Sequence, residues 1–340
     1  MMRDRYTVGA LRSAILRSSK RSINRVRKLG AKFGKLIGRL QKQSRASVKR
    51  IVKPVRLWKE QRDSEALLRR DIRRTRSRNG SSMRRPDFII IGAPKCGTSW
   101  LRSVLCSHHG VIMVREEIEF FSVHLEKRLE WYLQHFSDDS RWLDNCNLAY
   151  RHPYADCLLG EKSASYCAMP PKRIRLLRSF APESRLILMI RDPVRRHWAH
   201  ASQVFVKRFG IERCSNASNL PTAQLFRFFE ATKHFGHYST MIDTWTEIFG
   251  EEKLLVIWQE AALKAPEQTI EETLRHIGAS LEFDKKKMPK LFGTKNRGPG
   301  LAMPPGVASF LSEMFAPEYK RLEAKFGSRF RFKEMTGPLG

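Results

Sequence analysis

The sequence predicts an α/β fold, a parallel β-sheet flanked by helices, with a basic N-terminal extension that is helical or disordered. Three observations carry that expectation. From Pro86 onward strand and helix signals alternate, which is the pattern of βαβ units. Two of the strand candidates, Phe88 to Ile91 and Leu186 to Ile190, are apolar throughout, as strands covered on both faces must be. The chain has 340 residues, 41% of them hydrophobic, which suffices for one sizeable core and an appendage.

The appendage comes first. Residues 1–86 hold 28 Lys/Arg against 5 Asp/Glu, about +23 of the formal +30, whereas the remainder holds 36 against 29. Within it Val8, Leu11 and Ile15, then Ile23, Val26, Phe33, Ile37 and Leu40, recur at helical spacing, so one or two basic amphipathic helices are expected, or else a solvated tail. Such a stripe suits peripheral contact with an anionic membrane or another polyanion, with no call for a specific nucleic acid. The stretch Arg73 to Arg85, around Asn79-Gly80-Ser81-Ser82, reads as a linker, which places the extension at residues 1–85 and the folded domain at 86–335.

Strands are expected at Asp87 to Ile91, Val111 to Val114, Arg185 to Ile190 and Leu254 to Trp258. Helices are expected after Thr98, around Leu125 to Phe136, and over Pro171 to Phe180, Val194 to Phe205, Tyr238 to Phe249 and Pro266 to Ile277. The first strand runs into Gly92-Ala93-Pro94-Lys95-Cys96-Gly97 and then a helix start at Thr98-Ser99-Trp100-Leu101. Amides at a helix start, aided by the helix dipole, favour an anion, so this segment is a phosphate cradle and the sheet is of P-loop type. Gly92 and Gly97 have the separation of a Walker loop, but Thr98 stands in the lysine place and Lys95 lies three residues earlier. A nucleotide triphosphatase therefore loses favour.

At this loop the chain resembles the sulfotransferases that use 3'-phosphoadenosine 5'-phosphosulfate (PAPS), whose 5'-phosphosulfate loop reads P-K-x-G-T-[ST]-x-L. Pro94, Lys95, Gly97, Thr98, Ser99 and Leu101 fit it. The resemblance extends over about Pro86 to Phe330. It implies PAPS as co-substrate, held by Lys95, Cys96, Gly97, Thr98, Ser99 and Trp100, with Lys95 on the bridging oxygen and no metal.

Further motifs carry the same resemblance. Arg185 to Ile190 followed by Arg191-Asp192-Pro193 is similar to the family's 3'-phosphate element, R-x-P-x-x-R-x-x-S, and an arginine at a strand's carboxyl end can grip a phosphate with two hydrogen bonds. Arg191 is the expected ligand. The pattern's serine is Ala199 here, and Ser202, three residues on, is the candidate substitute. Glu116-Glu117-Ile118-Glu119-Phe120-Phe121 is similar to the E-x-x-F-F segment of heparan-type carbohydrate sulfotransferases. Alignment on the two phenylalanines makes Glu117 the base that takes the acceptor's proton, with Glu116 and Glu119 as neighbouring alternatives. Gly160 to Tyr166 resembles the E-K-[ST]-x-x-Y element, which assigns Lys162 to the transferring sulfonate or the acceptor. Lys295-Asn296-Arg297-Gly298 resembles the loop that closes over the cofactor phosphates, adding Arg297 and Gly298.

Six cysteines without C-x-x-C spacing argue for reduced thiols rather than a zinc site, and Cys96 lies beside a helix start, where a thiolate can be favoured. No apolar run approaches the roughly 20 residues that span a bilayer, and no signal-peptide core follows the basic start. The expectation is a cytoplasmic protein, similar to bacterial relatives without an anchor, that sulfates a carbohydrate. Two other readings stand beside it: a P-loop kinase or hydrolase, and a non-catalytic basic adaptor for membrane or polyanion.

Overall fold

A computed structural model of the protein describes residues 63–75, 84–137, 154–210, 222–282 and 299–327. The chain divides into two compact units, Met1–Asp63 and Ser64–Gly340, and the sheet lies in the second. Five parallel strands make it, in the order β2-β3-β1-β4-β5: β1 (Phe88–Gly92), β2 (Val111–Met113), β3 (Leu158–Lys162), β4 (Arg185–Ile190) and β5 (Leu254–Trp258). β1 lies at the centre, with Phe88 opposite Gly160 on one side and Arg185 on the other. Every residue of β1 is buried, which explains its unbroken apolar run. Because the chain crosses from β3 over β1 to β4, the strand order reverses beside β1, and the crevice at its carboxyl end is where open α/β sheets bind ligands.

The helices cover the two faces. α1 occupies residues 63–75, α2 Thr98–Cys106, α3 Arg128–Leu133, α4 Pro171–Phe180 and α5 Pro193–Phe209. α6 (Thr222–Thr232), α7 (Tyr238–Phe249), α8 (Gln259–Lys264), α9 (Pro266–Ile277) and α10 (Pro305–Phe326) complete them. One core cluster surrounds the sheet. A second, built from Val194, Trp198, Phe205, Phe229, Leu311 and Phe315, joins α5, α6 and α10.

Six elements depart from the sequence expectation: β3, α1, α6, α8 and α10 were not anticipated, and α3 differs in form. β3 was not anticipated, because Gly160-Glu161-Lys162 breaks the apolar run. Gly160 is there for space, since a Cβ would stand 2.2 Å from the Phe88 ring. α1 lies in the segment read as the extension and linker. Leu68 and Ile72, four apart, enter the main core, while Glu65 pairs with Lys172 and Arg173 at 3.1 and 3.3 Å, and Asp71 takes two hydrogen bonds of 2.9 Å from Arg128. The helix expected around Leu125 to Phe136 is α3 with a 3₁₀ turn at each end, Leu125–Lys127 and Gln134–Phe136. The amphipathic stripes of residues 8–40 and the loop of Arg297 and Gly298 lie outside the described residues. No helix among the described residues is long and apolar enough to cross a membrane.

Candidate active site

The loop after β1 is shaped by two left-handed residues. Gly97 has φ 92° and forms the start of α2 without a side-chain cap, and Lys95 adopts φ 70°, a conformation that costs any residue with a Cβ. Gly97 accepts from the Trp100 and Leu101 amides at 3.0 and 3.1 Å, while the amides of Thr98 and Ser99, first in α2, have no carbonyl of their own helix to pair with. Thr98 is buried, and Ser99 and Trp100 are half-buried. Cys96 is fully buried against the Tyr238 hydroxyl at 3.6 Å, and burial pushes its thiol up to about 11, which removes it as a thiolate nucleophile. All four described cysteines are buried.

β3 delivers the second part. Lys162 is buried at its end, and its Nζ donates to Glu117 Oε1 at 2.6 Å and to Ser99 Oγ at 3.3 Å. The other Glu117 oxygen accepts from the Ala164 amide at 3.1 Å. One ammonium thus joins the acidic segment to the start of α2. Glu116 is solvent-exposed, and Glu119, at φ 49°, is held by its backbone, its amide donating to Ser163 Oγ at 3.0 Å. Of the three carboxylates offered by the sequence, Glu117 is the one in contact with Lys162.

Lys95 belongs to the same cluster. Burial, then the charges of Arg196 and Lys162, hold its ammonium below the usual lysine range, while Glu117 acts in the opposite direction. From β4, Arg191 donates to the Lys95 carbonyl at 3.4 Å. Asp192, next to it, caps α5 by accepting from the Arg195 amide at 2.8 Å and accepts from the Tyr319 hydroxyl at 2.6 Å. Ser202 is buried on α5 with its hydroxyl donating back to the Ala199 carbonyl at 3.3 Å; no hydrogen bond joins it to the loop. Among the described residues no group of three or more His, Cys, Asp or Glu is placed to hold a metal ion.

Residues 86–284 match the model of the sulfotransferase family. The chain belongs to that family. Over 203 residues it is 24% identical to bifunctional heparan sulfate N-deacetylase/N-sulfotransferase 1 of Caenorhabditis briggsae, covering 54% of this chain and 22% of that protein. Over 126 residues it is 32% identical to the membrane-associated sulfotransferase kil1 of Dictyostelium discoideum, covering 36% of this chain and 24% of the relative. The chain thus spans less than a quarter of the length of these curated relatives. The crystal structure of a sulfotransferase from Alicyclobacillus acidocaldarius shares the fold, with a TM-score of 0.51 at 23% identity over 71% of this chain and 96% of the other.

Sequence reasoning missed two groups of this sulfotransferase domain. One is Arg196, the second arginine of the R-x-P-x-x-R-x-x-S pattern, to which the sequence reading gives no role and whose burial only the fold reveals. The other is Glu161, which is wholly buried next to Lys162 on β3. It accepts from Tyr132 at 3.0 Å and from Ser163 at 3.4 Å, and Ser163 in turn holds the Glu119 amide. Burial is the main cause that raises its carboxyl to about 8, against the hydrogen bonds that lower it. The folded state therefore holds a proton that the unfolded chain releases above about pH 4.5, so this group's contribution to stability is full below that pH and is lost as pH rises through about 8. Glu161→Gln is expected to flatten the stability profile over that window, by a few kcal/mol (~1.4 per pH unit) relative to wild type. Urea unfolding of both proteins at pH 5 and pH 8 checks it; parallel profiles would place the proton elsewhere.

Proposed function

We propose that this protein moves the sulfonate of PAPS to a hydroxyl or amine of a carbohydrate acceptor by in-line displacement. The observation that supports the reading is the bridge made by Lys162, whose ammonium joins Glu117, a carboxylate suited to receive a proton, to Ser99 at the start of α2. The residues fit the co-substrate: amides at a helix start for its 5'-phosphate, two half-buried or buried lysines near the site of charge development, and Arg191 at the adjacent strand end. In the transfer, the acceptor oxygen or nitrogen bonds to sulfur while the bond from sulfur to the bridging oxygen breaks. Glu117 takes the proton, and Lys95 neutralises charge on the departing oxygen. Lys162 is paired with Glu117 before the reaction, so an incoming sulfonate offers it a second anion without desolvating a new cation.

The preference for carbohydrate rests on the relatives, whose names specify heparan sulfate N-sulfotransferases, and on the Glu117 segment. A kinase or hydrolase is disfavoured by Asp192. Where such an enzyme presents a metal-binding acid, this one has committed both carboxylate oxygens to the Arg195 amide and the Tyr319 hydroxyl.

Calorimetry tests the reading. Wild type is expected to bind adenosine 3',5'-bisphosphate at micromolar or tighter affinity, Arg191→Ala to weaken it about tenfold or more, and ATP with Mg²⁺ not to compete. Binding of Mg²⁺-ATP with no response to the bisphosphate would return the phosphoryl-transfer reading. Transfer of labelled sulfonate to glucosamine-containing oligosaccharides, against phenols and simple alcohols, then decides the acceptor class.

A further inference from the structure

Arg196 lies on the first turns of α5, immediately behind the loop, and none of its surface is exposed. Its Nε donates to the Pro94 carbonyl at 3.0 Å. Its two terminal nitrogens face His197 Nε2 at 3.1 Å and His200 Nδ1 at 3.2 Å, and the guanidinium lies 5.1 Å from the centre of the Phe235 ring. All of these partners are neutral. Burial, and then Arg196 itself, push both imidazoles down to about 3, so they accept without carrying charge. The remaining groups that act on it are Tyr238, Cys96 and Cys167, each driven by burial toward its protonated form. Among the described residues no carboxylate stands within ion-pair distance of this guanidinium.

An arginine keeps its proton, and a buried cation with only neutral acceptors is costly to the fold unless an anion balances it. The place for that anion follows from the hydrogen bond. A trans peptide is planar with its carbonyl and amide opposed, so drawing the Pro94 carbonyl toward α5 aims the Lys95 amide to the side of the loop opposite Arg196. We propose that Arg196 is a positioning residue for the loop: it pins the Pro94 carbonyl from behind and supplies a fixed positive charge that a 5'-phosphate on the loop balances. The assignment rests on the nucleotide reading above and assigns the arginine no contact with the ligand.

The test isolates the 5'-phosphate. The ratio of Kd for adenosine 3'-monophosphate to Kd for adenosine 3',5'-bisphosphate measures what that group adds to binding. In Arg196→Gln this ratio is expected to fall about tenfold or more, with Kd for the monophosphate within about twofold of wild type; Arg196→Lys should restore part of it. A merely structural arginine would weaken both ligands alike or neither, and either result overturns the assignment. If the glutamine variant does not fold, the wild-type Arg196 Nε–H resonance decides: it should shift and exchange more slowly with the bisphosphate and not with the monophosphate. The same response to both ligands, or none, overturns the proposal. Wild type that binds neither nucleotide removes the nucleotide reading itself, whereas wild type that binds both with a ratio unchanged in Arg196→Gln removes the role of Arg196 alone.

Discussion

Glu117→Gln is expected to lower kcat by about 10²–10⁴ while leaving Kd for adenosine 3',5'-bisphosphate within about twofold. The asymmetry follows from where the carboxylate sits. Its contacts are Lys162 Nζ and the Ala164 amide, and its place relative to the loop is one side chain removed, through Lys162 and Ser99. Glutamine has the same shape and keeps an acceptor for the amide, so the segment stays in position. What it loses is the ability to take a proton as the acceptor attacks. Lys162 loses its ion-pair partner as well, which leaves a buried ammonium more available to the anionic nucleotide and opposes any fall in affinity. Glu116→Gln serves as the control, being exposed and without a contact to Lys162, and should retain most of the turnover. Single-turnover transfer of labelled sulfonate, with calorimetry on the same preparations, separates the two quantities. Turnover above about a tenth of wild type in Glu117→Gln would mean that another group accepts the proton.

The parts of this fold that could be read from sequence are those where one physical requirement dominates. β1, β4 and β5 are apolar enough to declare themselves. β3 carries Gly160, Glu161 and Lys162, each chosen for a different neighbour: room for the Phe88 ring, a proton-holding partner for Tyr132 and Ser163, and a cation for Glu117 and Ser99. A strand that serves three sites does not look like a strand. α1 escaped because its arginines set the local composition, while Leu68 and Ile72 enter the core and Glu65 and Asp71 pair with Arg173 and Arg128. Lys95, Glu117 and Lys162, each singled out by a motif resemblance, lie in one cluster in the fold. The burial of Arg196 was not legible, since burial of a charge leaves no mark in composition even where a motif includes the residue. Two signals were available: its place as the second arginine of the R-x-P-x-x-R-x-x-S pattern, and its helical phase three residues after the buried Pro193.

Lys95→Met is expected to cost kcat about 10²–10³ or more and to weaken the bisphosphate by a smaller factor, about tenfold. Charge on the bridging oxygen grows as the bond to sulfur breaks, so a cation aimed there contributes more in the transition state than to nucleotide binding. The geometry makes that cation hard to replace. Lys95 is held at φ 70° with its carbonyl fixed by Arg191, which sets where the side chain leaves the loop, and Lys162 is already shared between Glu117 and Ser99. The pH behaviour supplies an independent check. Burial and Arg196 lower the Lys95 pKa in the free protein, so its charge is lost at a lower pH than that of an ordinary lysine, and kcat/KM should decline there. A bound phosphosulfate favours the charged form again, which moves the alkaline limb of kcat upward relative to that of kcat/KM. In Lys95→Met this separation between the two limbs should vanish along with the rate. Because neighbouring cations depress the pKa and Glu117 raises it, Arg196→Gln should move the kcat/KM limb up and Glu117→Gln should move it down, opposite shifts from two variants that both lose activity. A Lys95→Met enzyme that retained a tenth of wild-type turnover would instead place the charge-neutralising role on Lys162 alone.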